Sequence, residues 1–118
     1  MKNTCPCCGH IVFKGYPGSY EICPICYWED DDVQLADPWF EGGANKPNLY
    51  TAQKNYIRYG AMEERFVDAV KPPNRKTKHD GEWRLVQESD KSNVTSPREI
   101  ESLPGKIDYR KEYYYWLK

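Results

Sequence analysis

At 118 residues, with 39 % of them hydrophobic and 30 % charged, the chain has room for one compact domain, or one domain with an appendage, around a thin core. Its net charge of −1 favours neither nucleic acid nor membrane as a partner, and no apolar run resembles a bilayer span or a signal-peptide core. The cytoplasm is therefore the expected compartment, and ten Tyr, four Trp and three Phe must supply much of the buried area.

The chain enters its most informative motif almost at once. Cys5-Pro6-Cys7-Cys8-Gly9 and Cys23-Pro24-Ile25-Cys26 are two C-x-x-C pairs separated by fourteen residues. In a reducing compartment such pairs read as metal ligands rather than disulfides. Each tight turn lets backbone amides point at the sulfurs, and four thiolates then close a tetrahedron around one ion. The expected ligands are Cys5, Cys8, Cys23 and Cys26, and the expected ion is one structural zinc. Iron, held by the same four sulfurs, is the alternative. Cys7 reads as a small residue filling the knuckle, against a sharper reading as a redox-sensing or ligand-exchanging thiol. His10 reads as an exposed strand residue, because four thiolates already complete the coordination.

Between the pairs, His10 to Phe13 and Ser19 to Ile22 predict a β-hairpin turning at Gly15 and Pro17-Gly18. Residues 29–47 read as loop, with an acidic run at its start and Gly42-Gly43-Ala44-Asn45 as a turn. Asn48 is an N-cap for a helix over about 48–59 that ends at Gly60. The spacing of Met62, Phe66, Ala69 and Val70 predicts a second helix over 61–70, stopped by Pro72-Pro73. Residues 74–81 read as basic loop, 83–87 as a short strand and 87–95 as a polar segment. Ser96-Pro97-Arg98-Glu99 announces a short helix, and Asp108 caps a last one carrying Tyr109, Tyr113, Trp116 and Leu117 on one side. The Tyr113–Trp116 cluster reads as a docked core helix rather than a binding surface, with Tyr114 and Tyr115 pointing elsewhere and able to serve an interface.

The fold expected is a small α+β domain in which an N-terminal zinc ribbon, two Cys knuckles on a β-hairpin, packs on short helices. Residues 1–73 form that domain, and residues 74–118 are a partly helical extension packed on it or appended to it.

These residues resemble the bacterial cysteine-rich CPCC family. The resemblance rests on Cys5-Pro6-Cys7-Cys8-Gly9 and on the run from Tyr20 through Cys23-Pro24-Ile25-Cys26-Tyr27-Trp28-Glu29 to Asp31. Gly42-Gly43-Ala44-Asn45, Asn55-Tyr56, Gly60 and Pro72-Pro73 follow in the same order, so about residues 4–73 are covered. The resemblance implies a small bacterial protein with a zinc ribbon. Some members look like immunity proteins of toxin systems. It supplies no catalytic residues, and only the four cysteines carry over as ligands.

For function the charge distribution says more than the net value. Six acids and no base lie between Tyr27 and Asn45, whereas five bases face two acids from Lys71 to Arg84. Trp28, Glu29, Asp30, Asp31, Asp32 and Trp39 form the candidate partner surface, with Trp as anchor and carboxylates steering a basic toxin. The expected function is thus a protein-interaction module of the immunity or antitoxin type. The alternative is a nucleic-acid-binding ribbon using Lys71, Arg75, Lys76, Lys78 and Arg84. An enzyme is not expected. No nucleophile–base pair is visible, and four consecutive acids on an extended loop diverge too much to share one ion.

Overall fold

The computed structural model describes residues 2–118. Its architecture is a small α+β fold, with a two-stranded antiparallel hairpin at the N-terminal end and short helices around it. The strands β1 (Asn3–Thr4) and β2 (Ile11–Phe13) pair Asn3 with Phe13 and Thr4 with Ile11. The hairpin therefore encloses the first Cys pair instead of linking the two pairs. The cause is local: the Cys5 amide donates to the His10 carbonyl and the Gly9 amide to the Cys5 carbonyl, both at 2.8 Å, so the chain reverses across the knuckle itself. The predicted return strand Ser19 to Ile22 pairs forward instead. Ile22 bridges Glu29, and the Asp30 amide donates to the Glu21 carbonyl.

The second pair repeats the first turn. Cys23 donates to the Trp28 carbonyl and Tyr27 to the Cys23 carbonyl, at 2.8 and 2.9 Å. The residue after each second cysteine is left-handed, Gly9 at φ 79° and Tyr27 at φ 74°. Glycine enters that region freely, whereas Tyr27 is held there by packing, its ring 4.4 Å from that of Phe66.

The acidic run does not stay a loop. Asp31 accepts from the Val33 and Gln34 amides and so caps α1 (Asp32–Ala36). α2 (Leu49–Tyr59) follows as the sequence predicts, with the Asn48 side chain accepting from Thr51 and Gly60 left-handed at φ 84°. Its inward face carries Leu49, Ala52 and Gln53. The helix expected over 61–70 is replaced by turns and one 3₁₀ turn, Glu64–Phe66. Two backbone bonds to the second knuckle account for this. The Met62 amide donates to the Cys26 carbonyl and the Lys71 amide to the Pro24 carbonyl, so the segment wraps the knuckle and cannot also satisfy a helical ladder.

No strand forms over 83–87. The polar segment after it becomes a 3₁₀ helix, Glu88–Asn93, because Gln87 and Asp90 cap each other reciprocally. α3 (Pro97–Glu101) starts at Ser96 and α4 (Tyr109–Tyr113) at Asp108, both as the sequence predicts. α4 then breaks at Tyr114, and Tyr115–Leu117 continues as a 3₁₀ turn. That break turns Tyr114 and Tyr115 inward, to 2 % and 3 % exposure, so neither serves an interface. The core gathers Phe13, Trp28, Leu35, Leu49, Ile100 and the Tyr113–Trp116 cluster around the cysteines.

Residues 78–118 close over the first knuckle. The Ile11 amide donates to the Lys78 carbonyl, and the Asp80 amide to the Gly9 carbonyl. Gln53 on α2 ties the two halves together. Its Nε2 donates to the Pro6 carbonyl at 2.9 Å and to the Tyr115 hydroxyl at 2.7 Å, and its Oε1 accepts from the Val86 amide at 3.0 Å. The Trp83 indole donates to the same Pro6 carbonyl.

Candidate metal centre

The two knuckles bring four sulfurs to one point. Cys5 Sγ lies 3.5 Å from Cys26 Sγ, and Cys8 Sγ lies 3.8 Å from Cys23 Sγ. All four sulfurs lie within 4.8 Å of one another, and no residue of the set is more than 2 % exposed. A tetrahedron of sulfurs at about 2.3 Å from a central ion has edges of about 3.8 Å. The cluster fits that figure. It does not fit a disulfide, whose sulfurs sit about 2.05 Å apart, and all five cysteines are free thiols. The four cysteines can hold a metal ion.

The electrostatics agree with that geometry. Burial pushes the Cys5 and Cys26 thiols well up, whereas hydrogen bonds from Cys26, Cys5 and Cys8 hold the Cys23 sulfur far below the ordinary thiol range. Four thiolates in so dry a place require a cation among them. The Ile25 amide, aimed at Cys23 Sγ at 3.4 Å, supplies one of the N–H contacts expected of such a knuckle.

The neighbours of the cluster are packing residues. Cys7 lies outside the four-sulfur group at 1 % exposure, and burial raises its thiol, which matches a knuckle-filling role. His10 is half-buried instead of exposed. It bridges His79, whose ring sits 4.9 Å away edge-on, and it also meets Tyr56. Asn55, an unfavourable residue inside a helix, is satisfied by donating to the Met62 carbonyl at 3.0 Å.

The candidate partner surface is largely internal. Trp28 is fully buried, and Asp30 and Asp31 are 1 % and 5 % exposed, so none of the three can anchor or steer a partner. Asp30 Oδ2 accepts from the Gly18 and Ser19 amides and the Ser19 hydroxyl, pinning the turn between the knuckles. Asp31 caps α1 and also accepts from the Ala44 amide. Glu29, Asp32 and Trp39 keep partial access. Asp32 accepts from the Tyr20 hydroxyl at 2.7 Å, and Trp39 stacks on Tyr50 at 5.8 Å. A run of acids points to surface because charge is normally solvated. Here the backbone amides of two turns and a helix end need acceptors, and these carboxylates supply them.

Two buried amides escaped sequence reasoning. Gln34 Nε2 donates to the carbonyls of Phe40, Asn45 and Pro47, while its Oε1 accepts from the Asn45 amide and side chain. Gln34 thereby folds loop 40–47 onto α1. Gln53 plays the corresponding part for the first knuckle. The available signal was positional: Gln53 stands four residues after Leu49, on the inward stripe of α2.

A family model described as cysteine-rich CPCC matches residues 3–77, more than half of the chain. Comparison with curated proteins finds no match. The matched span contains both knuckles, the capped helix α2 and the segment that wraps the second knuckle, so the chain belongs to the cysteine-rich CPCC family.

Proposed function

We propose that the four cysteines hold one zinc ion as a structural centre, and that the domain built on it is a protein-interaction module of the bacterial cytoplasm, of the immunity or antitoxin type. The observation that carries the structural role is the closure of the cluster. Cys5, Cys8, Cys23 and Cys26 can supply all four positions of a tetrahedral ion, and each is buried, so no position is left for a substrate. Zinc suits such a site because it has no redox chemistry and no geometric preference of its own. Iron in the same sulfur set is the competing occupant.

A protein partner is supported by what remains accessible beside the second knuckle. Glu29 and Asp32 offer carboxylates, and Tyr20 and Phe40 expose aromatic area at 48 % and 43 %. This is a reduced form of the acidic, aromatic surface read from the sequence, and it still suits a basic partner.

Metal analysis of the purified protein tests the first part. One zinc per chain in a colourless sample is expected, with a melting temperature that falls sharply in a strong chelator. A red, iron-containing sample, or stability unchanged by chelation, overturns it. For the second part, Glu29→Lys with Asp32→Lys leaves the fold intact and slows association with a basic partner captured from the native cell. Unchanged association kinetics remove this surface.

A further inference from the structure

Three depressions adjoin one another on the side of the domain that carries the β1–β2 hairpin. The largest, about 930 Å³, has Lys14, Tyr16, Lys106 and Arg110 among its walls. Asn3 and Arg110 also line the second, of about 590 Å³, which adds Lys2, Lys76 and Lys78. Lys2, Ile11 and Lys76 are shared in turn with the third, which reaches Lys71. Shared wall residues place the three side by side along one face, and together they make up the groove considered below.

Its charge is opposite to that of the whole chain. Seven cations line it against three carboxylates, although the net charge of the protein is −1. Two of those carboxylates are engaged internally: Asp80 accepts from the Thr4 hydroxyl and the Glu82 amide, and Asp108 caps α4 beside Arg110. Among the described residues, Lys2, Lys71, Lys76, Lys78 and Lys106 form no ion pair. The basic stretch seen in the sequence is thus split and reassembled. Arg84 is taken up by Asp90 at 2.7 Å, while Lys71, Lys76 and Lys78 join lysines from both chain ends. At one end Tyr16 stands 77 % exposed, its ring tilted 47° to that of Tyr109 at 6.0 Å.

We propose that this groove binds a single-stranded nucleic acid, with the lysines on the phosphates and Tyr16 as the platform for one base. Lysines dispersed along a groove are point charges matched to a flexible phosphate chain. The exposed ring favours this ligand over an acidic polypeptide, which offers no run of bases to stack, and over a duplex, whose base faces are already covered. The inference is independent of the metal's identity and of any protein partner.

The test uses the full metal-loaded chain and fluorescently labelled twelve-nucleotide oligouridylate and oligothymidylate, read by anisotropy. Binding that weakens about 50-fold between 50 and 200 mM salt is expected for roughly four neutralised phosphates on a single strand. Lys76→Glu with Lys78→Glu, and separately Lys14→Glu with Lys106→Glu, each weaken binding by about tenfold or more, and Tyr16→Ala by about fivefold or more. Lys46→Glu, outside the groove, leaves binding unchanged. Circular dichroism melts that match the wild type show that these exposed substitutions leave the fold alone. No binding at 50 mM salt, or equal losses from Lys46→Glu and the groove variants, overturns the proposal. Displacement of the oligonucleotide by polyglutamate at equal concentration also overturns it, and gives the groove to an acidic polypeptide.

Discussion

Asp30 is the residue at which burial and charge conflict most directly. Burial pushes its carboxyl up to about 6, against the hydrogen bonds from Ser19 and Gly18 that favour the anion. Its Oδ1 has no hydrogen-bond partner among the described residues. A carboxyl raised in the folded state stabilises most when protonated. Its contribution is therefore present below the ordinary carboxylate range and is lost as pH rises through about 6. The loss at neutral pH is about 3 kcal/mol on that shift. Asp30→Asn keeps an acceptor for the turn amides and removes this titration. In urea melts of the metal-loaded proteins, the stability difference between wild type and variant changes in favour of the wild type as pH falls from 7 to 5. A difference that stays flat across that range contradicts the assignment. Thiolate protonation is common to both proteins and cancels.

Gln34 is the opposite case, a neutral group whose bonds are all made. Replacing it with Leu leaves three carbonyls and the Asn45 amide unmatched in a buried place, so a loss of about 3 kcal/mol or more is expected in the same melts. A change below about 1 kcal/mol would mean that water replaces the amide without cost. Neither residue could be assigned from the sequence, because a lone Asp or Gln looks the same whether its partners are water or three backbone groups.

Among the elements, the two knuckles share one design and differ in their surroundings. Gly9 lies under the C-terminal segment, where an added Cβ would come 2.6 Å from the His79 and Trp83 rings, in a left-handed conformation besides. Gly42 is left-handed too, at φ 76°, yet a Cβ there meets nothing within 4 Å. Gly42→Ala is therefore expected to cost about 1 kcal/mol, from conformation alone. Gly9→Ala adds a clash and is expected to cost at least ~3 kcal/mol. Equal losses in the two variants would show that the His79–Trp83 contact gives way freely. Helices with a cap at each end, such as α2, were legible in advance. The segment 61–70 was not, since its apolar spacing is helical and only the Cys26 and Pro24 carbonyls divert it.

For the whole molecule, the question is whether residues beyond 77 are an appendage. The matched family span ends there, yet Tyr114, Tyr115, Trp83 and Val86 share hydrogen bonds with the first strand, the first knuckle and α2. A chain ending at residue 77 leaves Gln53 and the Pro6 carbonyl without those partners. With zinc present it is expected to melt at least ~15 °C lower than the full chain, by differential scanning calorimetry. An unchanged melting temperature would make the segment dispensable to the fold.

The sequence by itself determined which four cysteines cluster, the helices that begin after Asn48, Ser96 and Asp108, and the family, because each is written in local spacing: two C-x-x-C pairs, or a capping side chain before a helix. Only the tertiary structure decided which charges face water. The carboxylates of Asp30 and Asp31 are spent on backbone amides that come from turns up to thirteen residues away, and no local pattern records that distance. The lysines of residues 2, 14, 76, 78 and 106 meet along one groove only after the hairpin and the C-terminal segment close on each other. The cysteine cluster follows from spacing that neighbours in the chain supply, and surface follows from packing between segments that are far apart in it.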